Sequence, residues 1–381
     1  MAGSFIAEQA KAMAELPGVN IAVSLWGQAS LEIAPNRAST FLSFLKYWRP
    51  SRSFSERAPG FYEAYSPAIY WSHRLPLGGV RCLRSANLDN FNAVRNTLGR
   101  VDLIHAHVGY PAGCLAEQIS EMTGVPYVVT EHMGPFPFPS LLRRGHLIPE
   151  LLSAYSNASR VIAVSPAQAA MMRRYGIPNP LVIPNFVDER EFDCALPQSE
   201  KFTFLTVCSV VVAKGVGDLL RAIALWRPSA EKVEFRIVGN GPDYHYFRSE
   251  SERLGISDLI KWHGAVPRDQ IVSFFKGCHA FVMPSHYESF GMVYAEAIAC
   301  GKPVIATKCG GAEFIVNDTN GLLVEVADAD SLSRALHKIH NDWEHFPAAD
   351  IRRDFMKRFS RLAVSRSLRQ VYEDVSNADI R

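Results

Sequence analysis

The sequence predicts an α/β protein of two domains, each built on a parallel sheet. Three observations carry this. Short apolar runs alternate with helical stretches almost throughout, the pattern of strands joined by crossover helices. The alternation pauses in an acidic, proline-containing stretch near 188–200 and then restarts. The chain has 381 residues, more than one hydrophobic core usually organises. No repeat with a period of about 20–50 residues is visible, so a solenoid is not expected.

The elements follow in order. A helix is predicted over Ile6–Ala14 and a strand over Asn20–Leu25. A parallel α/β domain ordinarily opens with a strand before such a helix, and here that strand is missing. Either the true start lies upstream or the domain tolerates the loss. Val101–His105, Pro126–Thr130, Arg160–Val164 and Leu181–Pro184 read as strands, with a helix over about 112–123. After the restart, Phe202–Cys208, Glu234–Val238, Ile260–His263, Ala280–Met283 and Pro303–Ala306 are strands, with helices between them. The expected domains are 1–190, 191–355 and a C-terminal helix over 356–381 that reaches back to the first. In the last thirty residues basic side chains such as Arg352, Lys357 and Arg361 flank Phe355, Phe359, Leu362, Leu368 and Val371 at roughly helical spacing. The plain reading is a packed terminal helix with solvated basic flanks; the sharper one is a membrane-surface helix.

Composition narrows the function. The chain is 48% hydrophobic and 20% charged, ordinary for a globular protein. A net charge of +2 makes no electrostatic case for nucleic acid, and none is expected as a partner. No apolar run approaches the ~18 residues of a membrane span, and no signal peptide is visible. Seven scattered cysteines without a CxxC pair fit a reduced, cytoplasmic protein.

The most informative segment is residues 284–311. Glu288 and Glu296 flank a helix start, with Ser289 as a capping residue type and Met292–Cys300 as the helix. Gly291 lets a ligand approach the backbone, and Gly301 and Pro303 end the helix. Free backbone N–H groups at such a start attract phosphate. Lys214-Gly215 ends the strand and loop TVCSVVVAKG, a phosphate candidate at the first strand of the second domain. Gly239 and Gly241 follow the strand FRIVG, where they serve either close ligand approach or an ordinary turn. His132 ends the strand YVVTEH, where open α/β sheets bind ligands. His105 and His107 share one face of another strand end, but no acid nearby supports a metal trio with His132. Asp328-Ala329-Asp330 directly precedes a helix and reads as a cap, not a metal site. Residues 37–74 hold ten aromatics and six Lys/Arg against Glu56 and Glu63. They form either an acceptor-binding surface or a packed insertion. No nucleophile elbow, Walker loop or GxGxxG fingerprint is present.

Together these segments resemble the retaining, nucleotide-sugar-dependent glycosyltransferases of the group 1 family, which have the GT-B fold and count bacterial glycogen synthases among their relatives. The resemblance runs from Gly3 to about Val375. It is most specific in ESFGMVYAE, GKPVIATKCGGAEFIV and NGLLV, with support from IHAHVGYPAG, VTEH, VIPNFVD, AKGVGDLL, IVGNGP and HGAVPRDQI. It implies two Rossmann-like domains facing a cleft, with the donor held mainly by the second and the acceptor by the first. By resemblance Glu288 faces the donor sugar. Phe290, Gly291, Met292 and Val293 line the sugar and diphosphate. Glu296 binds the ribose, Lys214 neutralises the leaving diphosphate, His132 sits near the reacting sugar and Val266 near the base. The implied partners are a nucleoside diphosphate sugar and a saccharide or lipid-linked saccharide, with peripheral contact at the inner membrane surface. No metal or cofactor is implied.

Two departures stand out. Ser209 occupies a position where the family often has an arginine, which leaves more of the leaving-group charge to Lys214. Gly3 matches the glycine-rich loop that the family places after its first strand. Three other readings compete: a GT-B nucleotide-sugar epimerase, a non-catalytic sugar-nucleotide-binding subunit, and a structural protein with a degenerate site.

Overall fold

The computed structural model describes residues 4–26, 51–68, 80–197 and 199–378. Gly3, and the aromatics Phe41, Phe44, Tyr47, Trp48, Tyr70 and Trp71 of the aromatic stretch, lie outside them.

The first half runs α1 (Ser4–Ala14), β1 (Ile21–Trp26), β2 (Ser53–Ala58), β3 (Phe61–Ser66), α2 (Val80–Leu98) and β4 (Ile104–His107). It continues through α3 (Cys114–Thr123), β5 (Tyr127–Glu131), β6 (Leu142–Arg143), β7 (His146–Leu147), α4 (Pro149–Ser156), β8 (Arg160–Ala163), α5 (Pro166–Arg174) and β9 (Leu181–Val182). Its strands form separate sheets. One has the order β1-β3-β2, with β1 and β3 parallel and β2-β3 an antiparallel hairpin. A second, β4-β5-β8-β9, is wholly parallel, and β6-β7 is a two-stranded antiparallel ribbon. Among the described residues β1 and β4 are both sheet edges. Helices join these two sheets: α2 packs on β1, on β3 and on α3.

The second half runs β10 (Phe202–Val207), α6 (Val216–Trp226), β11 (Val233–Val238), α7 (Tyr244–Arg253), β12 (Ile260–Gly264), α8 (Arg268–Gly277) and β13 (Ala280–Met283). It continues with α9 (Met292–Ala299), β14 (Val304–Thr307), α10 (Gly311–Ile315), β15 (Gly321–Val324) and α11 (Ala329–Asn341). The strands form one parallel sheet of order β12-β11-β10-β13-β14-β15, a doubly wound arrangement. The central strands β10, β13 and β14 are buried nearly throughout, the edge strand β12 alternates, and the core is a single cluster.

The chain ends in α12 (Ala348–Arg358) and α13 (Arg361–Ala378). Val364, Leu368, Val371 and Val375 of α13 are buried against Ala12 and Met13 of α1 and against Val128 and Ile162 of the first half. Phe355 and Phe359 instead complete the second core. Leu362, expected with the apolar set, is 47% exposed. Two arginines read as solvated are structural. Arg352 donates to the carbonyls of Glu189 (2.8 Å), Phe192 and Ala299. Arg358 donates to those of Phe314 and Ile315. The apolar side of α13 is used inside the protein, which leaves little for a membrane surface. Among the described residues no helix is long and apolar enough to cross a membrane.

Candidate active site

The loop between β13 and α9 carries Glu288, and its shape is over-determined. The His286 amide donates to the Ala213 carbonyl at 2.9 Å, and the Glu288 amide to that of Cys309 at 3.2 Å. The Gly311 amide donates to the Glu288 carbonyl at 2.8 Å. Thr307 Oγ1 donates to the Ser285 carbonyl, and Tyr294 Oη to that of Met283 at 2.8 Å. These bonds anchor the loop to three neighbouring segments at the C-terminal edge of the sheet.

The helix start differs from expectation. The cap of α9 is Gly291, with φ of 92°, not Ser289. A Cβ on Gly291 would lie 2.4 Å from the Tyr294 ring, so only glycine fits there. Ser289 is engaged elsewhere: its Oγ donates to the Met133 carbonyl at 2.9 Å. Asp328 caps α11 by accepting from the Ser331 amide at 2.9 Å, as the cap reading expected.

Lys214 and Glu288 come together. Lys214 Nζ donates to Glu288 Oε1 at 2.5 Å, and Ser285 Oγ donates to the same oxygen at 2.9 Å. Lys214 ends a short turn held by Gly215, at φ 70°, whose added Cβ would sit 1.8 Å from the Pro284 carbonyl oxygen. Beside this pair, the buried carboxylate of Asp218 accepts from His286 Nε2 at 2.7 Å and from Arg221. Asp218 thereby ties the start of α6 to the Glu288 loop. Sequence reasoning missed it, although it sits four residues after Lys214 on the same turn and helix.

Gly239 and Gly241 do approach a backbone closely, but it is the protein's own. Added Cβ atoms would lie 1.8 Å from the Cys208 carbonyl oxygen and 2.3 Å from that of Val210. Their glycine requirement therefore comes from packing under the segment that carries Ser209. The Val210 amide donates to the Asn240 carbonyl at 3.1 Å across this contact.

Glu296 is 5% exposed within α9. Burial raises its pKa to about 7, and Arg268 opposes the shift. Arg268 NH1 stands 3.7 Å from Glu296, and Arg268 NH2 stands 3.5 Å from Glu8 of the first half. Val266, two residues before Arg268, packs half-buried against the second core.

On the first half His132 follows β5. His107 Nδ1 lies 2.9 Å from His132 Nε2, and the two rings stack at 5.2 Å. Burial pushes His107 down to about 4 and His132 well below its ordinary range, so this is a neutral pair in which one ring donates to the other. His105 bonds Thr130 Oγ1 at 2.7 Å and Tyr372 Oη at 2.6 Å. Among the described residues no group of three His, Cys, Asp or Glu is arranged to hold a metal.

Glu131 is the organiser that sequence reasoning did not find. It is fully buried at the end of β5. Its Oε1 accepts from the amides of His132 (2.8 Å) and Met133 (2.6 Å). Its Oε2 accepts from the Gly109 amide (2.9 Å) and from Tyr155 Oη. One carboxylate thus pins the loops after both β4 and β5. Val108, next to Gly109, is held at φ 70°, costly for a β-branched residue. An acid inside the apolar strand YVVTE was the available signal, since a buried carboxylate must be satisfied by donors.

Comparisons with known proteins bear on the family and the fold. The family described as "Glycosyl transferases group 1" matches residues 188–357, and "Glycosyltransferase Family 4" matches 46–191. An uncharacterized glycosyltransferase of Methanocaldococcus jannaschii is 29% identical over 282 residues, 73% of this chain and 76% of that protein. A D-inositol 3-phosphate glycosyltransferase of Arthrobacter sp. is 29% identical over 278 residues, 65% of this chain and 64% of that protein. A lipopolysaccharide core biosynthesis glycosyltransferase of Rhizobium meliloti is 27% identical over 51% of this chain and 57% of that protein. The chain thus spans less than two thirds of the latter two. Among solved structures, sucrose-phosphate synthase from Thermosynechococcus elongatus aligns with a TM-score of 0.71 at 22% identity, over 98% of this chain and 93% of that one. Anabaena HepE in complex with UDP aligns with a TM-score of 0.65 at 22% identity, over 81% of this chain and 86% of that one. With two family matches meeting near residue 190 and this fold, the chain belongs to the group 1 glycosyltransferases and has the GT-B fold.

Proposed function

We propose that the chain transfers a sugar from a nucleoside diphosphate sugar to an acceptor hydroxyl, with retention of configuration and without a metal. The observation that carries this reading is the Lys214–Glu288 pair at 2.5 Å, set beside the start of α9. Departure of a nucleoside diphosphate builds negative charge, and fixed donors aimed at that charge lower the barrier. Lys214 leaves Glu288 for the diphosphate, while the amides of Met292 and Val293 and the helix dipole add to the positive field. Glu288, freed of the cation, accepts from hydroxyls of the donor sugar. Glu296 accepts from the ribose, and Val266 lies against the base. His132 borders the reacting sugar from the first half, and the acceptor enters on that side. Attack comes from the face that the leaving group departs, and the leaving phosphate takes the acceptor proton. Ser209 supplies no charge, so Lys214 carries a larger share of leaving-group stabilisation.

The lipopolysaccharide-core relative is in keeping with a role in polysaccharide or glycolipid assembly, performed in the cytoplasm or at its membrane surface. The solved Anabaena protein, bound to UDP, makes uridine diphosphate sugars the first donors to try. A thermal-shift panel of nucleoside diphosphates and their sugars tests the reading. A true donor at about a hundred times its Kd stabilises the fold by about 2.7 kcal/mol. No shift with any of them would overturn it. Product analysis with donor alone separates transfer from epimerisation, which needs no acceptor.

A further inference from the structure

Ser289 stands directly after Glu288 in the donor loop, and Met133 stands directly after His132 in the facing loop of the first half. Two hydrogen bonds join these loops. Ser289 Oγ donates to the Met133 carbonyl at 2.9 Å, and Ser165 Oγ donates to the Ser289 carbonyl at 2.6 Å. Neither first-half partner is loose. Ser165 is fully buried and caps α5, accepting from the Gln168 amide at 3.2 Å. The Met133 carbonyl also accepts from Gln168 Nε2 at 3.2 Å, and the Met133 amide is fixed by Glu131 at 2.6 Å. Gly134 makes the approach sterically tight, since a Cβ there would sit 2.4 Å from Ser289 Oγ.

We propose that Ser289 is a positioning residue that sets the Glu288 loop in register with the His132 loop, so that closing the two halves assembles the sugar site. This rests on the functional reading above. The chain of contacts is short. Glu131 fixes the backbone that carries His132, Met133 and Ser165 grip Ser289, and the residue before Ser289 is Glu288. Among the described residues no hydrogen bond or ion pair joins Lys214 or Glu296 to Ser289, Met133 or Ser165, so affinity for the nucleotide alone is separable from the clamp.

The test uses Ser289→Ala, Gly134→Ala and the double variant. Three readouts are taken: calorimetric affinity for uridine diphosphate, amide exchange in the 131–138 and 286–292 loops, and turnover of UDP-glucose. Loss of one hydrogen bond predicts roughly tenfold lower kcat/KM for UDP-glucose in Ser289→Ala, with affinity for uridine diphosphate within about twofold. Exchange rises in both loops together and not in the six-stranded sheet. Gly134→Ala is worse, because its methyl drives the loops apart. The double variant removes the clashing hydroxyl and matches Ser289→Ala, a strong departure from additivity. Additive losses in the double variant, or unchanged exchange in either loop of Ser289→Ala, overturn the proposal. A wild-type protein that binds no nucleotide and turns over no donor refutes the functional reading instead, while the exchange data still judge the clamp.

Discussion

The two halves carry related architecture and solve the same problem differently. In the second, one uninterrupted six-stranded sheet over a single apolar core presents its strand ends, and the site loops are fixed largely by backbone bonds between neighbouring strand ends. In the first, the described strands fall into separate sheets over smaller cores. There the loops after β4 and β5 converge on one buried side chain, Glu131. A continuous ladder can hold a site with replaceable side chains, whereas a divided one concentrates the task on a few polar atoms. The first half should therefore be fragile at a point, and the second robust in fold but sensitive in chemistry.

The largest effect should come from the second half. Lys214→Ala and Glu288→Gln should each lower kcat by roughly a thousandfold, the scale of losing a fixed oxyanion donor. Thermal unfolding should stay close to wild type. A near-wild-type rate in either variant would remove the proposed mechanism.

The contrast predicts the opposite outcome at Glu131. Glu131→Ala leaves three amides and the Tyr155 hydroxyl without their acceptor. The cost should be roughly 3–5 kcal/mol, seen in urea as an earlier transition of the first half alone. If both halves shift together, or neither does, the comparison drawn between them is wrong.

The smallest effect is a pH dependence at Glu296. An ordinary glutamate titrates near 4.5, and burial brings this one to about 7. Between those values the folded protein holds a proton that the unfolded chain has released. Stability contributed at this site therefore declines as pH rises from 4.5 to about 7. Ribose hydroxyls favour the carboxylate, so affinity for a nucleoside diphosphate sugar should tighten by roughly tenfold between about pH 6 and about pH 8. Both donor phosphates are esterified and do not titrate there. Glu296→Gln should flatten the dependence; a slope that survives it belongs to another group.

How much could be read from the chain depends on distance along it. The paired-glutamate segment was legible because its acids, glycines and helix are contiguous, and the β10–β15 alternation reads directly as a parallel sheet. The cap of α9 was misread because serine is the preferred capping type. Nothing local shows that Ser289 is claimed by a carbonyl 156 positions away. The glycines at 239 and 241 advertised close approach truthfully, but not to what. Asp218 and Glu131 were invisible because their meaning lies in partners that only folding collects. The hairpin Ser53–Ala58 with Phe61–Ser66 was hidden inside a stretch that composition marked only as aromatic and basic.

The divided sheet of the first half has a consequence for how the molecule breathes. Rungs of a continuous ladder fail together, because each broken bond loosens the next, whereas packing through shared helices transmits opening weakly. Among the described residues the sheet of Ile21–Trp26 and the sheet of Ile104–His107 share no ladder, and they should therefore open more independently than neighbouring strands of one sheet. The histidine stack belongs to the second of these. Its protection from exchanging solvent is set by β4, β5 and Glu131, and by α13, whose Tyr372 bonds His105.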